Sequence, residues 1–179
     1  MSTTPQLSVV VPVHNEEDNV APLVGEIVAA LRGLIDPSTG LRTSFEIVYY
    51  DDTSKDSTLA RLRDLQATTP ELRVIRHLSN AGQSTAVRNG VKAARAPLIA
   101  TLDGDGQNDP ADIPRLLACA ETNPGTGIVA GQRAKRRDSW VKRISSCLLY
   151  PSDAADDLLC VYLCHRRILP KHTHYPPTP

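Results

Sequence analysis

Short apolar runs alternate with amphipathic stretches along the first two thirds of the chain. Leu7-Ser8-Val9-Val10-Val11 is a β-branched run that Pro12 ends, the pattern of a strand buried on both faces. After a polar stretch, Val20, Leu23, Val24, Ile27, Val28, Leu31 and Leu34 recur at three- and four-residue spacing, which predicts a helix. Asp36-Pro37-Ser38-Thr39-Gly40 breaks it. A second strand over residues 45–50 runs into Asp51-Asp52-Thr53-Ser54-Lys55-Asp56-Ser57, and Leu59, Leu62 and Leu65 mark the next helix, closed by Thr69-Pro70. Leu72-Arg73-Val74-Ile75-Arg76 reads as a weaker strand near a sheet edge. Ala86, Val87, Gly90, Val91 and Ala94 then predict a helix with a small-residue face, ended by Pro97. Leu98-Ile99-Ala100-Thr101-Leu102 is a fourth buried strand. Ile113, Leu116 and Leu117 carry a helix whose start Pro114 is expected to kink, and residues 127–131 are a fifth strand candidate. Strands alternating with helices predict a layered α/β domain with a largely parallel sheet.

The fourth strand stops at Asp103-Gly104-Asp105-Gly106-Gln107-Asn108-Asp109-Pro110. Gly104 and Gly106 remove side chains from the turn and let a ligand come close. Asn108 or Asp109 can cap the next helix, and Pro110 suits its first turn. Two carboxylates this near repel each other unless a cation lies between them. Oxygen ligands from Asp103, Asp105 and the Gln107 amide suit Mg²⁺ or Mn²⁺, with phosphate oxygens completing the shell. Spacing excludes two other acidic motifs. An EF-hand loop wants Gly at 108 and Glu at 114, where Asn108 and Pro114 stand. A phosphatase of the haloacid dehalogenase type wants Thr at 107, where Gln stands. Polar residues also come after the other strands: His14-Asn15-Glu16, Asp51-Asp52 and Asn80. In parallel sheets ligands collect at that end, so four such loops predict a nucleotide-and-metal pocket.

Composition narrows the class. The 179 residues suffice for one domain, and 20 Lys plus Arg balance 20 Asp plus Glu, so no global field argues for nucleic acid. No apolar run approaches the roughly 18 residues of a membrane span, and residues 1–6 read as a flexible N-terminus without signal-peptide character. A cytoplasmic setting is the default, and the four cysteines do not oppose it.

Taken together, Val11-Pro12-Val13-His14-Asn15-Glu16-Glu17, Asp51-Asp52-Thr53-Ser54-Lys55-Asp56-Ser57-Thr58, Asn80-Ala81-Gly82-Gln83-Ser84 and residues 102–110 resemble the motif set of family 2 glycosyltransferases. The likeness is to the branch typified by dolichyl-phosphate mannosyltransferase and bacterial polyprenyl-phosphate glycosyltransferases. The resemblance implies a GT-A fold, a Rossmann-like sheet with helices on both faces, over residues 7–146. It implies an inverting, metal-dependent transfer of a sugar from a GDP- or UDP-linked donor to a polyprenyl phosphate. On it, Pro12, Asn15, Glu16 and Asp52 line the base and ribose pocket, with Asn80 beside them. Asp103, Asp105 and Gln107 hold Mg²⁺ or Mn²⁺ on the diphosphate, so that Asp105 is catalytic. His14 replaces a usual Tyr and reads as a core or surface histidine. Thr53 and Ser57 replace usual glycines, which puts a Cβ at two positions where positive φ is expected.

The basic run Arg133-Ala134-Lys135-Arg136-Arg137 comes after the fifth strand, as the family's phosphate-contacting loop does. Arg133 and Arg136 are therefore candidate catalytic residues that grip phosphate by paired donors. Trp140 beside Lys142 and Arg143 suits the inner face of a membrane. Beyond Ser146 the resemblance ends. Residues 147–157 look like a translated library adapter, and residues 147–179 read as a non-native or disordered tail with no helical or strand period. Cys160, Cys164, His165, His172 and His174 match no common zinc spacing. The chain is thus expected to be a truncated fragment with the fold incomplete at its C-terminus. The alternative function is a catalytically inactive nucleotide-binding remnant; a sugar-nucleotide pyrophosphorylase is disfavoured because this chain lacks the Gly-rich, Arg-containing loop expected after the first strand.

Overall fold

The computed structural model describes residues 4–36, 39–123 and 128–131, together with the backbone of residues 161–165. The elements are β1 (Leu7–Val13), α1 (Val20–Leu31), β2 (Phe45–Asp51), α2 (Thr58–Thr68), β3 (Leu72–Arg76), α3 (Gln83–Ala93), β4 (Leu98–Leu102), α4 (Ile113–Thr122), β5 (Ile128–Ala130) and β6 (Val161–His165). The sheet order is β3-β2-β1-β4-β6-β5. β3, β2, β1 and β4 run parallel, and β6 lies antiparallel between β4 and β5. β3 is at an edge, as its weaker strand pattern suggested, and it is half-buried.

Side-chain alternation along the central strands divides the core between two faces. Leu7, Val9, Val11 and Val13 of β1, with Ile47, Tyr49, Ala100 and Leu102, pack against Val20, Leu23, Val24, Ile27 and Leu31 of α1, Leu62 of α2 and Ile113 of α4. Val10, Val48 and Ile99 point the other way, toward Val91 of α3 and the adjoining Ala94. The small face of α3 has a steric cause: a Cβ on Gly90 would meet Val10 Cγ1 at 2.5 Å. The helix therefore lies directly on β1.

Three expectations are corrected. Pro12 does not end β1, which continues to Val13 in register with Asp51. Val13 O accepts the Asp52 N–H, so Val13 faces β2 and the preceding Pro12 faces β4. The β1–β4 pairing stops at Val10, so the missing N–H of Pro12 falls where the ladder has no partner to offer. Pro114 does not kink α4 either. It occupies the first turn, where no N–H donor is needed, after a 3-10 turn at Pro110–Asp112. Asp109 caps that turn, its Oδ1 accepting the Ala111 N–H at 2.9 Å, while Asn108 is buried. Finally, Val161–His165 is a strand, although residues 147–179 were expected to show none. Five residues are too few to display a period, and two antiparallel neighbours supply the backbone partners that order them.

Beyond β4 the chain turns back under the end of β1. A Cβ on Gly104 would collide with the Val13 side chain and would come within 2.7 Å of Pro12 O. At the opposite end of the strands, Glu46 joins four segments. Its Oε1 accepts from Ser8 Oγ of β1 at 2.7 Å and from the Arg95 N–H at 2.6 Å, and its Oε2 accepts from Arg73 of β3 at 2.6 Å. Burial works against the charged form of Glu46. The Ser8, Arg95 and Arg73 donors outweigh it and hold the carboxyl below its ordinary range.

This packing can be tested at three positions. Glu46→Gln turns an amide NH₂ toward Arg73 and should cost about 2 kcal/mol in urea unfolding at pH 7. Because the folded pKa lies below the unfolded one, the wild-type advantage is complete above the ordinary carboxylate range and shrinks as pH falls through it. Gly104→Ala should cost about 1–3 kcal/mol or displace the turn, seen as chemical-shift changes from 102 to 106. The Tyr49 hydroxyl is buried with no partner among the described residues. Tyr49→Phe should therefore raise stability or leave it within about 1 kcal/mol, measured by thermal unfolding.

Candidate nucleotide and metal site

The winding of the chain places the site. From β1 it proceeds outward through β2 to β3, then returns across β1 to β4, so the strand order reverses between β1 and β4. Connections leave those two strands in opposite directions, and a crevice opens beyond their carboxyl ends. A cleft of about 410 Å³ lies there. Its walls are Pro12 and Val13 of β1, His14 and Glu16 from the loop after it, Asp52 just past β2, Gln83 and Ala86 of α3, and Asp103, Gly104 and Asp105 from the turn after β4.

The loops after β1 and β2 are fastened to each other by side chain to backbone hydrogen bonds. The Asn15 N–H donates to Ser54 Oγ at 2.9 Å, and Asn15 Oδ1 accepts the Lys55 N–H at 2.8 Å. The Glu16 N–H donates to Thr58 Oγ1 at 2.8 Å, and Glu17 Oε2 accepts the Ser57 N–H at 3.0 Å. Such pairing satisfies backbone donors that helix starts leave open. The same loops carry left-handed backbone at Asn15 (φ 58°) and at Thr53 (φ 64°). Asn tolerates that region; a β-branched Thr is strained in it. The expected steric problem thus holds at Thr53, whose Oγ1 donates to His77 O at 3.2 Å, and not at Ser57, where φ is −78°.

Asp52 is the hub of the cleft wall. Its Oδ1 accepts the Ala81 N–H at 2.9 Å and lies 2.6 Å from His77 Nδ1, while Oδ2 accepts the Gly82 N–H at 2.7 Å. Its carbonyl accepts from His14 Nδ1 at 2.9 Å and from Asn80 Nδ2 at 3.2 Å. Burial opposes ionisation of Asp52, but the Ala81, His77 and Gly82 donors overcome it and lower the carboxyl pKa. The neighbouring Asp51 is buried in an ion pair with Arg76 at 3.2 Å and accepts the Ser54 N–H. It shapes the loop from beneath.

Opposite Asp52, the turn after β4 presents Asp103 and Asp105 to the same cleft. Asp103 Oδ1 accepts from Gln83 Nε2 at 2.9 Å, and Asp105 Oδ1 accepts the Gln107 N–H at 3.0 Å. Among the described residues no group of three or more His, Cys, Asp or Glu could hold a metal ion alone. The donors present are hard oxygens, two carboxylates at the cleft, which fits Mg²⁺ or Mn²⁺ when ligand phosphates and water complete the shell.

The structure therefore brings Pro12, Glu16, Asp52, Asp103 and Asp105 together. Asn15 and Asn80 are outside the cleft lining and act on it through the loop contacts above. Gln107 is exposed, and its N–H donates to Asp105. Arg133, Arg136 and Trp140 lie outside the described residues. His14, expected as a core or surface histidine, is exposed and forms part of the cleft wall. Sequence reasoning missed His77 and Gln83. His77 is the first polar residue after β3, so the strand-end rule that singles out Asn80 points to it equally. Gln83 stands within a recognised motif, but nothing in its spacing reveals Asp103 as its partner.

The family model described as glycosyl transferase family 2 matches residues 8–165. The dodecaprenyl-phosphate galacturonate synthase of Rhizobium johnstonii is 36% identical over 143 residues, 79% of this chain and 40% of that protein. The undecaprenyl-phosphate 4-deoxy-4-formamido-L-arabinose transferase of Edwardsiella ictaluri is 37% identical over 145 residues, 80% of this chain and 42% of that one. The chain thus spans about two fifths of the length of these relatives. Among solved structures, the mannosyltransferase PcManGT from Pyrobaculum calidifontis, in complex with GDP-Man and Mn²⁺, superposes with a TM-score of 0.59 at 20% identity, covering 74% of this chain and 37% of that one. At that identity the likeness establishes the GT-A fold alone. Sheet order, cleft and family match converge: this chain belongs to glycosyl transferase family 2.

Proposed function

We propose that the chain is the nucleotide-sugar-binding part of a glycosyltransferase that moves a sugar from a GDP- or UDP-linked donor to a polyprenyl phosphate. The observation that carries this reading is the meeting of Asp103 and Asp105 with Pro12, Glu16 and Asp52 around one cleft at the strand-order reversal. The cleft wall holds four carboxylates, Glu16, Asp52, Asp103 and Asp105, and no Lys or Arg among the described residues. An anionic diphosphate enters such a cleft favourably only with a cation. Mg²⁺ or Mn²⁺ held by Asp103 and Asp105 would supply that charge and stabilise the departing nucleoside diphosphate.

The transfer is a direct displacement with inversion. An acceptor phosphate oxygen bonds to the anomeric carbon as the bond from that carbon to the diphosphate breaks. A phosphate monoester is already anionic near pH 7, its second ionisation lying at about pH 6, so no strong protein base is required. Positioning and charge neutralisation carry the rate. The names of the relatives support a polyprenyl-phosphate acceptor, and in this reading Arg133 and Arg136 would grip phosphate. No helix among the described residues is long and apolar enough to cross a membrane. The basic run with Trp140 fits work at a membrane surface.

Calorimetric titration with UDP and GDP tests the reading. Binding should require Mn²⁺ or Mg²⁺, and Asp105→Ala should lower the affinity by about tenfold or more, a loss of one ion ligand. Metal-independent binding, or an unchanged Asp105→Ala variant, would remove the assignment. Sugar transfer to a polyprenyl phosphate, measured on the chain, distinguishes a transferase from a binding module.

A further inference from the structure

His77 has no role in the reading above, yet it is among the most constrained polar side chains near the cleft. It comes directly after β3, its N–H donates to Asp51 O at 2.9 Å, and its carbonyl accepts Thr53 Oγ1. The side chain is 11% exposed, and the ring packs edge-on to Tyr50 with centroids 4.5 Å apart. Both ring nitrogens are engaged: Nδ1 lies 2.6 Å from Asp52 Oδ1, and Nε2 lies 2.8 Å from Asn89 Nδ2, on the second turn of α3. With the Asn89 amide donating, Nε2 must accept, and the single proton of a neutral imidazole then resides on Nδ1. That proton is aimed at Asp52.

The consequence concerns what Asp52 can offer a ligand. Its Oδ1 takes two donors, His77 and the Ala81 N–H, and Oδ2 takes the Gly82 N–H. A carboxylate oxygen accepts about two hydrogen bonds, so Oδ2 retains capacity for one more, at a side chain that lines the cleft. Ala81 and Gly82 lead directly into α3, whose first residue Gln83 holds Asp103. One imidazole is therefore connected, through Asp52 and the 80–82 loop, to the start of α3 and the acidic turn.

We propose that His77 is a positioning residue: its Nδ1–H, fixed by Asn89, holds the Asp52 carboxylate against the Ala81 and Gly82 N–H groups and directs the remaining Oδ2 acceptor toward an N–H or O–H of the nucleoside. The ligand part of this inference rests on the nucleotide-sugar reading. The orientation part does not.

The experiment uses the ¹⁵N-labelled full chain. Long-range ¹H–¹⁵N spectra at neutral pH should show His77 as the Nδ1–H tautomer; an Nε2–H tautomer or an imidazolium would overturn the proposal. His77→Phe keeps a ring of similar size without the donor. Amide exchange at Ala81 and Gly82 should quicken by about tenfold or more, the loss of one charge-assisted hydrogen bond, while α1 and β1 amides exchange as before. His77→Asn places an amide N–H near the former Nδ1 and should restore most of that protection. Nucleotide affinity, measured with UDP and GDP in Mn²⁺, should fall and recover in the same order across the variants. Equal affinity in wild type and His77→Phe refutes the positioning role while leaving the nucleotide reading intact. If the wild type binds neither nucleotide, that reading fails, and tautomer and exchange still decide the orientation. Should His77→Phe not fold, Asn89→Leu keeps the imidazole and is expected to release the tautomer and quicken exchange at the same two amides; no change there refutes the proposal.

Discussion

The turn after β4 passes so close beneath the end of β1 that Gly104 has no space for a side chain, and the rest of the site depends on that approach. Pro12 O and the Val13 side chain form the surface against which the turn rests. Contact at that point sets how far Asp103 and Asp105 stand from the β1 loop, and hence the width of the cleft. Pro12 belongs to the same arrangement. A residue with an N–H there would present a donor to the side where β4 has already diverged, whereas proline has none to leave unsatisfied. Two residues with unusual backbones thus meet at the strand-order reversal, one lacking a Cβ and the other lacking a donor.

Much of the fold was legible because buried parallel strands and amphipathic helices have different periods. The β-branched run of β1, the small face of α3 and the glycine of the acidic turn are all local features of the sequence. What could not be read is pairing. Whether Pro12 ends a strand depends on where its neighbours stop, which no local pattern records. Pro114 looked like a kink because its distance from the helix start is fixed by the preceding 3-10 turn, itself set by the Asp109 cap. β6 escaped notice since five residues between two antiparallel partners gain their order from those partners.

The site divides along the same line. Residue types at the strand ends identified the acidic turn and the loops, but not which groups each side chain serves. Asn15 stands in a motif expected to line the nucleoside pocket, yet its amide oxygen is committed to the Lys55 N–H and its backbone to Ser54. Asp51 and Asp52 are adjacent and chemically identical. Alternation sends one into an ion pair beneath the loop and the other to the cleft wall. His77 and Gln83 gain their meaning from partners 25 and 20 residues away in sequence, Asp52 and Asp103, and such a relation has no signature at either position alone.

Charge balance gives the last step. The chain as a whole is neutral, with 20 basic and 20 acidic side chains, so no global field argued for nucleic acid as a partner. Locally the balance fails: four carboxylates face the cleft without an Arg or Lys among its described walls. Elsewhere the acids are matched at short range, as Glu46 is by Arg73, Asp51 by Arg76 and Glu71 by Arg32. Asp52 is matched differently, by two backbone N–H groups and an imidazole, which hold the carboxylate ionised while adding less positive charge than a guanidinium would. A cleft so arranged keeps its negative charge for whatever enters it. A cation is the complement that such a field favours, and on the proposed function a diphosphate would gain entry with that cation more readily than by itself.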